Sequence, residues 1–169
     1  MLDWIKDLIV KAWDKINPVV IINPYESGLV LTLGKHSRNL HPGLNFKWPF
    51  IDTTLVICSV TTTMQLAPQT LVTADGHSVV ISTIVRYSVQ DVVPYLLNIY
   101  DSHDVLNDVI QGYVRVMVSD NNYADVVKNK SEAVILKKAR RDVKKFGVDI
   151  ERIVFADIGK VRSLRLIQG

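Results

Sequence analysis

Residues 68 to 89 run Pro68-Gln-Thr-Leu-Val-Thr-Ala-Asp75-Gly76-His77, then Ser78-Val-Val-Ile-Ser-Thr-Ile-Val-Arg-Tyr-Ser-Val89. In the second half Val79, Ile81, Val85, Tyr87 and Val89 alternate with Ser78, Ser82, Arg86 and Ser88. Successive side chains on a strand point to opposite faces, so this is the pattern of a half-buried antiparallel strand with its apolar face inward. Asp75-Gly76 just before it is a two-residue hairpin signal, pairing the strand with Leu71 to Thr73.

Strand signals also fill the chain upstream. Val19 to Ile22 and Leu29 to Leu33 are short apolar runs joined by a turn over residues 23–28. Residues 54–66 read as one longer strand with Val56, Cys58, Val60, Met64 and Leu66 on a common face. Downstream the period changes to helical. Asp91 caps a short helix to about Ile99, with Pro94 in its first turn. Asp101 or Ser102 starts a second helix, where Leu106, Val109, Ile110, Tyr113, Val114 and Met117 recur at three and four. A third is expected from about Tyr123 to Phe146, stopped at Gly147. A returning strand, Val148 to Ile158, closes the domain. Strands, then helices, then a strand predict an α+β architecture.

With 169 residues, 48% hydrophobic and 22% charged, the chain suits one ordered domain or two small subdomains. A net charge of +3 without an aromatic-and-basic motif excludes a nucleic-acid reading. Cys58 is the sole cysteine, so no internal disulfide forms and a reducing compartment is expected. No apolar run reaches the ~20 residues of a spanning helix, and Asp3, Lys6, Asp7 and Lys11 break up any signal-peptide core. The expected location is therefore the cytosolic side, peripheral to a membrane if attached to one.

Attachment is suggested by residues 1–17. At ~100° per residue, Leu2, Ile5, Leu8, Ile9, Ala12, Trp13 and Ile16 share one arc, with Trp4 at its boundary. Three lysines and three aspartates fill the other side, and Asn17-Pro18 ends the helix. Such a helix packs on its own domain or lies in a bilayer interface; the two tryptophans favour the interface, with apolar burial as the driving force.

Several segments in order give this chain a family likeness: Glu26-Ser-Gly-Leu-Val-Leu-Thr-Leu-Gly-Lys35, His41-Pro-Gly-Leu-Asn-Phe-Lys-Trp-Pro-Phe-Ile-Asp52, residues 68–89 above, and Phe146-Gly-Val-Asp-Ile-Glu151. Together they resemble the stomatin/prohibitin/flotillin family, the SPFH or band-7 domain, over roughly residues 18 to 160. The resemblance implies an SPFH domain over 18–159, with a β-rich part about 18–66, an α/β part about 67–159 and a short tail at 160–169. It implies a membrane-associated, non-enzymatic scaffold. Its partners would be a lipid surface, further copies or other SPFH proteins, and membrane-bound proteases among the clients. Family members continue after the Ile158 strand into a long Ala/Glu-rich coiled-coil helix. Gly159 to Gly169 is too short for two heptads, so a full-height cage is not expected of these residues, while lateral contact between globular domains is. A second reading is a soluble module that caps or inhibits a full-length SPFH assembly or a protease complex.

Three candidate surfaces stand out. In Pro42 to Phe50, Phe46, Trp48 and Phe50 alternate; the arm either tucks all three inward or, as the resemblance implies for a membrane-proximal arm, anchors Trp48 at headgroup depth beside Lys47. Phe46 and Phe50 are assigned to the core. The third helix carries Lys130, Lys137, Lys138, Arg140, Arg141, Lys144 and Lys145 opposite Ile135, Leu136, Ala139, Val143 and Phe146. This basic face is a solvated surface, a contact for anionic lipid, or a contact for an acidic neighbour. Lys137, Lys138, Arg141 and Lys144 would then meet Asp104 and Asp108 of another copy. Catalysis finds no support: His36, His41, His77 and His103 lack metal-ligand spacing, no phosphate loop or nucleophile elbow occurs, and Asp75 with His77 fits a turn. No cofactor or metal is expected, and Cys58 is expected to be a buried, inert thiol.

Overall fold

A computed structural model describes residues 17–98, 100–128 and 132–161. The expected helix of residues 2–16 lies outside them. The chain divides into two units, one ending at Val60 and the other beginning at Thr61.

The first unit holds β1 (Val19–Ile22), β2 (Glu26–Thr32), β3 (Lys35–Leu40), β4 (Gly43–Phe46) and β5 (Asp52–Cys58). All pairings are antiparallel: β1 with β4 as a ribbon, and β3-β2-β5 as a three-stranded sheet. The Glu26 carboxylate accepts the Asn23 backbone N–H and side-chain amide at 3.0 and 2.9 Å, pinning the turn between β1 and β2. Ile22, Val30 and Leu40 form a small core with Val20 packed against it.

The second unit is built around β8 (Ser78–Val89). The strands β6 (Thr62–Gln65) and β7 (Gln69–Val72) pair with successive halves of one of its edges, and β9 (Val148–Lys160) covers the other. Val79, Ile81, Val85, Tyr87 and Val89 are all buried, as their alternation predicts. The β7–β8 hairpin exists, but its loop has three residues, Ala74 to Gly76, closed by the Thr73 N–H donating to the His77 carbonyl at 3.0 Å. The Asp75 carboxylate holds that loop by accepting the Thr73 hydroxyl and the Tyr123 N–H, so Asp75 and His77 are turn residues.

Helices follow: α1 (Val92–Leu97), capped by Asp91, and α2 (Ser102–Asp120), capped by Asp101. Then come α3 (Tyr123–Val127) and α4 (Glu132–Val143). Leu106, Ile110, Val114 and Met117 of α2 and Ile135, Ala139 and Val143 of α4 are buried, the faces their spacing predicts. The single helix expected from Tyr123 to Phe146 is instead α3, α4 and a 3-10 turn at Lys144–Phe146. The β-branched pair Val126-Val127, weak helix formers, lies where the first piece ends. Gly147 has φ +75°, and a Cβ there would meet the Asp91 carbonyl oxygen at 2.1 Å. Only glycine fits that stop.

The expected strand over 54–66 is divided between β5 and β6, which belong to different units. Met64 and Leu66 are buried as expected, whereas Val56, Cys58 and Val60 are exposed. Register explains the reversal. β5 is aligned by β2, which leaves Leu55 and Ile57 on the half-buried side and turns Val56 and Cys58 the other way. The Cys58 thiol is therefore accessible, not buried.

Candidate membrane-facing and assembly surfaces

The ribbon register sets Val19 opposite Phe46 and Ile21 opposite Leu44. Alternate residues share a face, so these four line one side while Val20 and Ile22 line the other. Ile22 enters the core. On the opposite side Ile21 is 71% exposed and Leu44 75%. Phe46 is also exposed, and its ring meets that of Trp48 edge-on at 5.7 Å. Trp48 itself is 62% exposed and Phe50 79%. The assignment of Phe46 and Phe50 to the core is thus overturned: the two-stranded ribbon has only one face against the core, and Phe46 is on the other. Apolar residues gathered in solvent at this density mark a contact surface.

A second apolar tip follows from backbone conformation. Thr32 and Lys35 pair across the β2–β3 hairpin, leaving Leu33 and Gly34 as its two-residue loop. Their φ values, +50° and +80°, are those of a type I′ turn. Asn or Asp is the usual first residue there, because a branched apolar side chain is strained at positive φ. Phe50 is likewise left-handed, φ +73°. The Leu33 N–H donates to the Ile51 carbonyl at 2.9 Å, so the two tips are neighbours. Both strained positions carry exposed apolar side chains.

Asp52 fixes the arm. One carboxylate oxygen accepts the Thr32 hydroxyl at 2.6 Å, and the other accepts the Trp48 N–H at 2.9 Å. These bonds, the Thr32 one foremost, hold the Asp52 pKa below the ordinary carboxylate value, with Arg38 adding a smaller electrostatic pull.

Lys137, Lys138 and Arg141 on α4 and Lys144 in the 3-10 turn after it are exposed; Lys130 lies outside the described residues. Open hollows of about 560 and 370 Å³ flank them, floored by Ala133, Val134 and Leu136. Arg140 lines the smaller hollow, but its guanidinium is already engaged within the unit. It bonds the Ile150 carbonyl through Nε at 2.8 Å and through a second guanidinium nitrogen, and pairs with Asp149 at 3.0 Å. Arg141 lies 3.5 Å from Asp142, whose carboxyl is held low first by the Tyr113 hydroxyl and then by Arg141. Asp104 and Asp108 are exposed near the start of α2. Among the described residues no ion pair links them to the α4 cations, and the Asp104 carboxylate lies 4.0 Å from the His103 ring.

The sequence-expected membrane residues Leu2, Trp4, Ile5, Leu8, Ile9, Trp13 and Ile16 fall outside the described residues; Trp48 is exposed beside Phe46. Ile21, Leu33 and Leu44 were not foreseen. A leucine ahead of glycine in a two-residue turn was the available signal for Leu33. Among the described residues, no group of three His, Cys, Asp or Glu could hold a metal, and no helix is long and apolar enough to cross a membrane.

The sequence is similar to those of several known proteins. An uncharacterised protein of Methanocaldococcus jannaschii is 28% identical over 165 residues, covering 96% of this chain and 82% of that protein. Protein HflK of Haemophilus influenzae is 29% identical over 66% of this chain, and Protein HflC of Buchnera aphidicola 21% identical over 85%. The chain spans 27% of that HflK and 50% of that HflC. The sequence profile of the SPFH domain / Band 7 family matches residues 20–162, and this chain, with its antiparallel sheets, following helices and closing strand, belongs to that family.

Proposed function

We propose that this chain is a subunit of a peripheral membrane scaffold, held on the bilayer by its first unit and joined to neighbours through its second. The observation that carries the reading is the apolar side of the β1–β4 ribbon. Ile21 and Leu44 oppose each other in solvent, and Phe46 and Trp48 continue the surface. Inserted at headgroup depth, these side chains and the Leu33 and Phe50 tips leave water, each worth about 1.5–3 kcal/mol if fully buried. The sequence-expected helix of residues 2–16 adds a second apolar anchor. Many weakly bound subunits on one assembly then hold firmly by avidity.

Neighbours are proposed to meet through the α4 surface. Lys137, Lys138, Arg141 and Lys144 surround an apolar floor, the arrangement of a contact with an apolar core and polar rim. The acidic counterpart is Asp104 and Asp108 of the next copy. Such a head-to-tail contact closes into a ring or continues as a filament. Membrane proteins, including membrane-bound proteases, are the proposed clients, and the cytosolic face the proposed side.

Liposome flotation tests the membrane part. Replacing Ile21, Leu44 and Trp48 with Ser should weaken flotation, and replacing Ile5, Ile9 and Trp13 as well should abolish it, with little effect of salt on the wild type. A chain with all six replaced that still floats would refute both anchors. Release of the wild type by moderate salt would make the basic α4 face the lipid contact instead.

A further inference from the structure

The strands of this chain differ in how their outer edges are protected. The β3 edge carries Lys35, His36 and Arg38, all exposed, and its register shifts at a bulge. Along β9 the register shifts twice, the Ile150 carbonyl is taken by Arg140, and the Phe155 N–H donates to the Glu132 carboxylate at 2.8 Å. Charges, bulges and side-chain caps are the devices that keep an edge from pairing with another chain. The four-residue strands β6 and β7 offer little edge at all.

Beyond Asp52 at its start, β5 has none of these devices. Its seven residues pair with β2 without a register shift, and after Asp52 they are Thr53, Thr54, Leu55, Val56, Ile57 and Cys58, uncharged and mostly β-branched. Hydrogen bonds just beyond each end of the ladder, Ser59 N–H to Tyr25 and Leu33 N–H to Ile51, fix which residues face β2. By alternation, Thr53, Leu55 and Ile57 do. The backbone groups of Thr54, Val56 and Cys58 therefore point outward, and among the described residues no partner meets them. Val56 is 40% exposed, with Thr53 and Cys58 also exposed.

We propose that β5 is a self-association strand: two copies pair it antiparallel about a two-fold axis at Val56, fusing two three-stranded sheets into one. The chemistry favours a second copy as occupant. About that axis Val56 faces Val56, an apolar β-branched pair, and Thr54 faces Cys58. The strand's one charge, Asp52, falls opposite Val60, so no like charges meet. The same operation on β3, about Ser37, would set His36 against Arg38 and gather Lys35, His36 and Arg38 of both copies into one basic cluster. This contact goes beyond the head-to-tail one proposed above: it is isologous and ends at two copies.

The full chain carries its own probe position, since Cys58 is the sole cysteine. In the proposed register two copies of Cys58 sit about 14 Å apart, four residue steps along the strands and one strand spacing across. A nitroxide on Cys58 should show dipolar broadening that disappears on dilution with unlabelled chain. Val56→Pro removes an outward N–H and leaves the β2 ladder whole, the one placement a strand tolerates. It should keep the circular dichroism of the wild type, abolish the broadening and weaken self-association about tenfold or more. Val56→Lys should do the same and decides the matter if the proline variant does not fold. A wild type without broadening, whether monomeric or associated, overturns the proposal, as do folded Val56 variants that keep it. Flotation is read separately: a chain that floats without broadening refutes only the strand pairing, and one that pairs without floating refutes only the membrane reading.

Discussion

Asp52 grips Trp48 from both directions: its carboxylate accepts the Trp48 N–H at 2.9 Å, and its own N–H donates to the Trp48 carbonyl at 3.1 Å. The arm carrying the proposed anchor is thus held by an ionised side chain. Because the folded pKa is depressed, this stabilisation is complete above the unfolded value near 3.8 and is lost as pH falls through the lower folded value. The Trp48 indole resonance should move in that acid range before the second unit melts. Asp52→Asn should remove the acid step, and an unchanged step would mean another group governs it.

Leu33→Asn should separate stability from binding. Asparagine suits the left-handed position of a type I′ turn, relieving strain of about 1 kcal/mol. The variant should melt at a higher temperature in calorimetry and bind liposomes more weakly. A variant with stronger binding would show that Leu33 does not touch lipid.

Charge reversal tests the proposed ring contact. Lys137, Lys138 and Arg141 changed together to Glu should dissolve larger oligomers in light scattering while leaving the monomer folded. Partial recovery on adding Asp104→Lys and Asp108→Lys would identify the pairing. Unchanged oligomer size would remove this interface and leave α4 with a merely solvated face.

Arg140 should behave differently from its basic neighbours. Arg140→Ala strips the Ile150 carbonyl of its partner and loses the Asp149 pair, costing about 1–2 kcal/mol in denaturant unfolding, since the side chain is half exposed. Arg140→Lys should recover only part, because one ammonium cannot reproduce two guanidinium contacts. Oligomer loss without a stability change would place Arg140 in the assembly surface instead.

What the sequence made legible depended on whether a pattern had one physical cause. On β8 alternation, length and β-branching agree, and every apolar residue picked from it is buried. The helix boundaries at Asp91, Asp101 and Gly147 were readable because caps act locally. Phe46 and Phe50 were misplaced because alternation shows that two faces differ, never which of them has a neighbour. Val56 and Cys58 failed for a related reason: the apolar period runs on past Cys58, while the chain leaves one unit for the other after Val60. Of the candidate surfaces, the charges on α4 were legible as composition. The Ile21–Leu44 pairing was not, since it rests on a register between strands far apart in sequence.

The pairing of β8 has a consequence for synthesis. Val89 meets Val148 at one end of the ladder and Val79 meets Lys160 at the other, so 58 residues separate even the nearest pair. At a ribosome's ~5–20 residues per second, the fold's central strand waits about 3–12 seconds for its longest partner. Strands β6 and β7 lie upstream and can zip onto one edge at once. The other edge stays open until the last part of the domain emerges, which makes the nascent chain, more than the finished protein, the state in which misassociation threatens.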